Sequence, residues 1–399
     1  MRGKTRILIA GGGLGGLTAA LALLRMGCDV EVHEQAAELR EVGAGLQLSA
    51  NGTHVFYALG VGEALKAHSC EAQGKEIRLW NSGETWKLFD LGKVSVERYG
   101  YPYFTVYRPD ALSVLADAVR REKPDAIRLG SKCVGFEQDT SRVKLQLENG
   151  ESAIGDALIG ADGVHSRIRQ GLFGADRPVF TGIIAWRGIV PMDRLPPHMA
   201  RMVGTNWVGP GGHVVHYPLR EGRLMNFVGA LERSDWQVES WSARGTTEEL
   251  SADFAGWHED VHALIRNIPA PYKWALMVRP PMPRWSVGRV SLLGDACHSM
   301  VPFLAQGAVM AIEDGYVLGR AITEGQGDVA SRLLRYEAAR RERANRAVAG
   351  SASNIQRFHN PALADPVKGR EYVDREWAGQ RVAERYEWLF RYDVTTAAV

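Results

Sequence analysis

ILIAGGGLGGLTAALALLRMGCDVEVHE, residues 7 to 34, is the stretch whose reading decides the fold. The uncharged run Ile7-Leu8-Ile9-Ala10 reads as a buried parallel strand. Gly11, Gly13 and Gly16 follow in GxGxxG spacing, residues 17 to 24 read as a helix, and residues 30 to 33 read as a second strand ending at Glu34. The glycines have separate uses: a tight turn, close approach of backbone to a pyrophosphate, and close packing of helix on strand. The helix start offers unpaired N–H groups and the positive end of its dipole to phosphate. Glu34 stands 18 residues past Gly16, where a carboxylate reaches a ribose 2′-OH. Strand, turn, helix, strand and terminal acid, in that order, predict a dinucleotide site.

A second reading of the same stretch has to be set aside. Residues 7 to 24 carry no charge and follow Arg2, Lys4 and Arg6, as in a signal peptide or a marginal membrane span. Five glycines weaken such a span, no small-residue cleavage site is clear, and a strand ending in an acid has no place in a signal peptide. The chain as a whole has an ordinary soluble composition. Its 399 residues are 45% hydrophobic and 24% charged, enough for two or three domains and a sizeable core. A net charge of +2 supplies no bulk field for nucleic acid or membrane binding. Cys28, Cys70, Cys133 and Cys297 are far apart and form no CxxC, which speaks against a disulfide framework or zinc knuckle and suits a reducing cytoplasm.

Downstream, Gly43 and Gly45 predict a loop held close to a neighbour, then a helix from about Gly52. Residues 103 to 108 read as a strand, and Pro109 opens a helix, so Arg108 sits at their junction. Its alternative use is a surface ion pair. Residues 126 to 129 and 143 to 147 are further strands, the second closing at the Asn149-Gly150 turn. A buried strand then runs into Asp162-Gly163, with a helix from near Ser166; Asp162 either caps a turn or binds cofactor. Residues 183 to 190, 213 to 217 and 224 to 230 predict a mostly antiparallel sheet inserted into the first domain. Alternate strand residues share a face, so His213, Val215 and Tyr217 point together and His216 points away.

Residues 248 to 267 read as one amphipathic helix with Phe254, Trp257, Val261, Leu264 and Ile268 as its apolar stripe. It contains His258-Glu259-Asp260-Val261-His262, a literal HExxH, which with a third ligand would hold zinc; a solvated helix edge is the plainer reading. Residues 289 to 295 form a strand running into Gly294-Asp295, and a long helix begins near 305. Five Arg and two Glu between 335 and 346 predict an exposed helix face, and the aromatic tail from 351 predicts a packed segment.

GGGLGG with Glu34, the Asp162-Gly163 stretch, and GDACHSMVPFLAQGAVMAIED at 294 to 314 occur in that order. Together they resemble the single-component FAD-dependent aromatic hydroxylases, flavoprotein monooxygenases similar to salicylate, hydroxybenzoate and hydroxynicotinate hydroxylases. The resemblance covers roughly residues 5 to 350. It implies an α/β fold: a Rossmann-like FAD-binding domain, an inserted mostly antiparallel β-sheet substrate domain and a C-terminal helical segment. The expected boundaries are 1–75, 100–177 and 275–350 for FAD, 76–99 and 178–274 for substrate, and 351–399 for the helical segment.

The FAD-binding residues it implies are Gly11, Gly13, Leu14, Gly15 and Gly16 at the pyrophosphate, and Glu34 and Gln35 at the adenosine end. Gln47, Arg108, Asp162, Asp295 at the ribitol, Pro302 beside the isoalloxazine, Gly307 and Ala308 complete the set. His213 and Tyr217 match a His/Tyr pair on the substrate-domain sheet and are the catalytic candidates. Two departures stand out: Ala305-Gln306-Gly307 replaces Gly-Gln-Gly, and Gln47 stands where hydroxynicotinate hydroxylases carry histidine.

The implied reaction is NAD(P)H- and O₂-dependent hydroxylation of a monocyclic hydroxylated aromatic carboxylate through a flavin hydroperoxide, with NADH or NADPH docking transiently. The implied protein is cytoplasmic, a monomer or homodimer, and binds neither nucleic acid, membrane nor metal. A flavoprotein tailoring a pigment or antibiotic precursor is the alternative within the class, and a zinc peptidase using His258 and His262 the one outside it.

Overall fold

The strand Arg6–Ala10 lies inside a six-stranded sheet of the computed structural model, which describes residues 4–39, 44–233, 235 and 243–399. Its neighbours are Asp29–His33 and Ala157–Gly160, both parallel to it. Val290–Leu292 and Ser286–Val287 continue one side, and Ile127–Arg128 closes the other. Ile7, Leu8, Ile9 and Ala10 are all fully buried, as a strand covered on both faces requires. Residues 7 to 24 are therefore a strand and a 12-residue helix, Leu14–Arg25. Among the described residues no helix is long and apolar enough to cross a membrane. The four cysteines are unpaired.

Small residues bring two helices together over this sheet. A Cβ at Gly15 would meet Leu293 at 2.5 Å, and one at Gly315 would meet the Ala19 backbone at 2.6 Å. Helix Gly307–Glu324 thus lies directly against helix Leu14–Arg25.

The second large sheet has seven strands, in the order Tyr272–Val278, Val179–Pro191, Leu224–Glu232, Gly212–Leu219, Val203–Gly209, Gly74–Leu79 and Thr85–Asp90. All pairings are antiparallel except that of Gly74–Leu79 with Val203–Gly209. One face packs on the helices between 247 and 266 through Trp186, Trp207, Phe227, Phe254 and Leu264. The other carries His213, Val215 and Tyr217 and faces the first domain, crossed by strand Gly45–Leu48. Gly43 lies outside the described residues.

Two expectations need correction. The helix expected over 248 to 267 is two helices, Thr247–Asp253 and Glu259–Arg266. Gly256, at φ +81°, breaks it, and Thr246 with Glu249 and then His258 cap the two starts. The apolar stripe survives because the turn returns the chain to the same face: Phe254, Trp257, Val261, Leu264 and Ile268 are all buried.

The arginine-rich stretch is also not simply an exposed face. Arg340 is fully buried in helix Val329–Phe358, 2.7 Å from both Glu313 and Asp314. Arg343 pairs with Glu313 at 2.8 Å. Buried carboxylates of one helix required buried guanidinia on the next, a pairing that spacing along one helix does not reveal.

The tail packs on the body. Helices Pro366–Glu376 and Gly379–Phe390 contribute Tyr372, Trp377, Tyr386 and Phe390 to the main core.

Candidate active site

The GxGxxG turn is open on one side and filled on the others. A Cβ at Gly11 would lie 2.3 Å from the Ala161 carbonyl and one at Gly16 2.1 Å from the Gly11 carbonyl, whereas one at Gly13 would meet nothing within 4 Å. Gly13 is also the uncapped start of helix Leu14–Arg25, which has no acid in its first turn. Gly11 and Gly16 therefore shape the turn, while Gly13 and Leu14 present a bare helix start, the surroundings a pyrophosphate requires. Glu34 closes the strand, accepting from Gly12 N at 2.7 Å and Ala36 N at 2.8 Å, and Gln35 beside it is exposed.

Asp162 caps: it accepts from Ser166 Oγ at 2.5 Å and from the backbone N–H groups of Arg167 and Ile168 at 2.7 and 3.2 Å. Burial holds its carboxyl above the usual range. Arg108 begins helix Arg108–Glu122, its N–H bonded to the Ala44 carbonyl.

The third motif stands on the buried ion network. Gly294, at φ +64°, turns the chain so that Asp295 is exposed, and the Gly294 N–H donates to Asp314 at 3.1 Å. Asp314 also holds His298 at 2.6 Å. Burial opposes ionisation of Glu313 and Asp314; Arg343, Arg340 and His298 outweigh it and keep both carboxyls below the usual range. Gln306 bonds Ser49 Oγ at 3.0 Å and Asn51 Nδ2 at 3.2 Å. That ties the start of helix Gly307–Glu324 to the end of strand Gly45–Leu48. Gly307 and Ala308 are half-buried there, Pro302 is exposed, and Ala305 takes a left-handed φ of 54°.

His213 and Tyr217 lie on one strand face, both buried. A Cβ at Gly45 would reach the Tyr217 ring at 2.6 Å, and Asn226, paired with Tyr217, accepts from Gly45 N at 2.9 Å. Further along, Gln47 accepts from Tyr103 Oη at 3.0 Å. Lys75 Nζ lies 3.5 Å from the same Tyr103 oxygen. Gly204, paired with Lys75, leaves the floor without a side chain. Lys75 is buried and makes no ion pair among the described residues; burial pulls its ammonium down to about 8. Burial raises both tyrosine hydroxyls, keeping them neutral donors.

At the other end, His213 packs edge-on against Phe303, ring centres 4.6 Å apart, next to Pro302. Its Nδ1 is 2.7 Å from His359 Nε2. His216 lies on the opposite face near Glu76, Arg78 and Asp260, and burial lowers its imidazole to about 4. The HExxH pair is not a helical i,i+4 site: His258 precedes the helix and accepts from Asp260 N at 3.1 Å. Glu259 is ion-paired with Arg266.

Reading the sequence missed Lys75, Tyr103, Asn226 and His359. The alternation Lys75-Glu76-Ile77-Arg78-Leu79 marks a strand with a lysine on its apolar face, and that signal was available.

A fold with this dinucleotide turn, a capping sheet and a carboxylate-bearing third motif is that of a FAD-dependent aromatic-ring monooxygenase. The chain belongs to the FAD binding domain family, which it matches over residues 4–351, and FAD is its cofactor. It is 37% identical to a 3-amino-4-hydroxybenzoate 2-monooxygenase of Streptomyces platensis, covering 98% of this chain and 96% of that one. It is 36% identical to the 3-hydroxybenzoate 6-hydroxylase of Polaromonas naphthalenivorans, covering 97% and 96%. Among solved structures it is similar to Klebsiella pneumoniae HpxO complexed with FAD and uric acid. That likeness has a TM-score of 0.82 and 27% identity, over 96% of this chain and 97% of the other.

Proposed function

We propose that the protein hydroxylates a monocyclic aromatic carboxylate bearing a ring hydroxyl, a hydroxybenzoate or hydroxynicotinate, at the expense of NAD(P)H and O₂ in the cytoplasm. The observation that carries the substrate class is Lys75, a buried cation lying over Gly204 and beside Tyr103, with no acidic partner among the described residues. A buried charge without a counter-ion is costly, and a substrate carboxylate would neutralise it. The hydroxybenzoates in the names of two relatives have the same two groups, a carboxylate and a ring hydroxyl.

FAD, when bound, supplies the redox chemistry, passing reducing equivalents from NAD(P)H to O₂ and one oxygen atom to the ring. Gly13, Leu14, Glu34 and Asp295 would hold it, with Pro302, Gly307 and Ala308 beside its ring. Lys75 and Tyr217 bind the carboxylate end of the substrate. His213 faces the hydroxyl end. Burial pushes its imidazole well below its ordinary range, so it is neutral at working pH, with a bare ring nitrogen to accept a hydrogen bond from the substrate hydroxyl. A phenol is a weak carbon nucleophile and its anion a strong one, so proton removal by His213 activates the ring for attack. The sheet and the loop at 301 to 304 exclude water.

The test is a panel of monocyclic aromatic acids with and without a ring hydroxyl, scored by NAD(P)H oxidation and product identity. Coupled hydroxylation of hydroxylated acids is expected. Turnover of phenols lacking a carboxylate with equal KM would exclude the carboxylate assignment.

A further inference from the structure

Resting on the reading of His213 above, we propose that His213, His359 and Glu232 form a proton relay that carries the substrate's hydroxyl proton from the buried ring face to the protein surface. The three groups are in hydrogen-bond contact: His213 Nδ1 to His359 Nε2 at 2.7 Å, and His359 Nδ1 to Glu232 Oε1 at 3.0 Å. His213 and His359 are buried, while the Glu232 side chain is 53% exposed, so the chain ends at solvent. His359 is placed by the tail: it follows helix Val329–Phe358, and its carbonyl accepts from Gly211 N at 3.2 Å.

The carboxylate fixes every proton. Glu232 only accepts, so His359 Nδ1 carries hydrogen and its Nε2 is bare. A bare His359 Nε2 must accept from His213 Nδ1–H. Neutral His213 is then bare at Nε2, the atom left to meet a substrate hydroxyl. His213 is flanked otherwise by Phe303 and Phe358, and among the described residues the ionisable group whose charge bears on it is His359.

On substrate activation the phenol O–H bond breaks and a His213 Nε2–H bond forms. The His213 Nδ1 proton passes to His359 Nε2, and the His359 Nδ1 proton passes to Glu232, from which water takes it. Both imidazoles stay neutral and end in the opposite tautomer. The reverse passage returns one proton to the product hydroxyl and restores the starting state. Burial disfavours a cationic imidazole at His213 and at His359, and a relay avoids storing that charge. His359 and Glu232 act through His213 and are positioning residues.

Glu232→Gln removes the terminal acceptor at a half-exposed position where folding is not at risk. His359→Gln keeps an acceptor for His213 Nδ1–H but cannot pass a proton on. Both are made in the FAD-loaded enzyme, with 3-hydroxybenzoate and 3-amino-4-hydroxybenzoate as probes. Single-turnover hydroxylation should slow about 10- to 100-fold, within the range of proton-transfer catalysis. FAD content, thermal midpoint and probe Kd should stay near wild type.

Stopped-flow absorption after a pH jump should show the bound probe losing its hydroxyl proton about 10-fold more slowly, because the relay sets the rate of proton exchange with solvent. Glu232→Asp should recover part of both effects. Wild-type rates of hydroxylation and of deprotonation of the bound probe in both Gln variants would overturn the relay while leaving the hydroxylase reading intact. A wild-type enzyme that hydroxylates neither probe nor any phenol of the panel would overturn both.

Discussion

Lys75 combines a cost and a use. Its ammonium, pulled from 10.5 to about 8 by burial, destabilises the fold while charged. The unfolded chain binds the proton more tightly between those values, so stability rises with pH through that window. At neutral pH the cost is roughly 3 kcal/mol at 1.4 kcal/mol per unit. Lys75→Met should therefore melt higher at pH 7 while binding a carboxylate substrate about 10- to 100-fold more weakly, the loss of a charged hydrogen bond. In the wild type, affinity should decline above pH 8 as the ammonium is lost, and the variant should lack that decline. Calorimetry and titration of substrate into the flavin-loaded enzyme check both. A variant that binds as tightly as wild type removes Lys75 from the site. The sequence displays His213 and Tyr217 because a strand's period of two puts them on one face. It also shows Lys75 on the apolar face of a strand, but not that Lys75 lacks an acidic partner, because that depends on residues across the fold.

At the scale of elements, the two carboxylates expected to hold FAD are held differently. Asp295 is exposed and makes no hydrogen bond or ion pair among the described residues, whereas Glu34 ties the glycine turn through Gly12 and Ala36. Asp295→Ala should cut FAD affinity about 10- to 100-fold and leave the melting temperature of the apoprotein unchanged. Glu34→Ala should lower both. Equal effects of the two on the apoprotein would contradict the structural difference.

The outer face of the large sheet gives an acid prediction. The His216 imidazole drops from 6.5 to about 4 on folding. Its contribution is intact above pH 6.5 and is lost as pH falls towards 4, because the unfolded chain protonates first. His216→Gln should flatten the fall in melting temperature across that window without changing hydroxylation. The first motif was legible as an element because strand, glycines and acid are contiguous. The helices at 247 to 266 were only half legible: the stripe fixed the buried face, and the glycine break at Gly256 leaves that face unchanged.

At the scale of the molecule, the tail reaches the proposed site as well as the core. Tyr386 and Phe390 close over Tyr103 and Phe89, and His359 reaches His213. Removing residues 360 to 399 should give insoluble protein or protein that binds substrate poorly; a soluble truncation with wild-type KM would show that the tail is dispensable. The aromatic content of the tail announced that it packs. Where it packs depends on contacts with residues hundreds of positions earlier, and no local pattern encodes those.

The strand order of the six-stranded sheet has a further consequence, for how the protein is made. Arg6–Ala10 is made well before its neighbour Ala157–Gly160, which in turn is completed by Val290–Leu292. The ion network beneath Asp295 needs Arg340, and Tyr103 packs against Phe390 of helix Gly379–Phe390. Until Val290–Leu292 is made, the nascent chain thus carries an apolar strand in an incomplete sheet, at translation rates of about 5–20 residues per second. Cofactor capture should then follow synthesis of Val290–Leu292, and stalled chains ending before residue 290 should neither hold FAD nor resist protease.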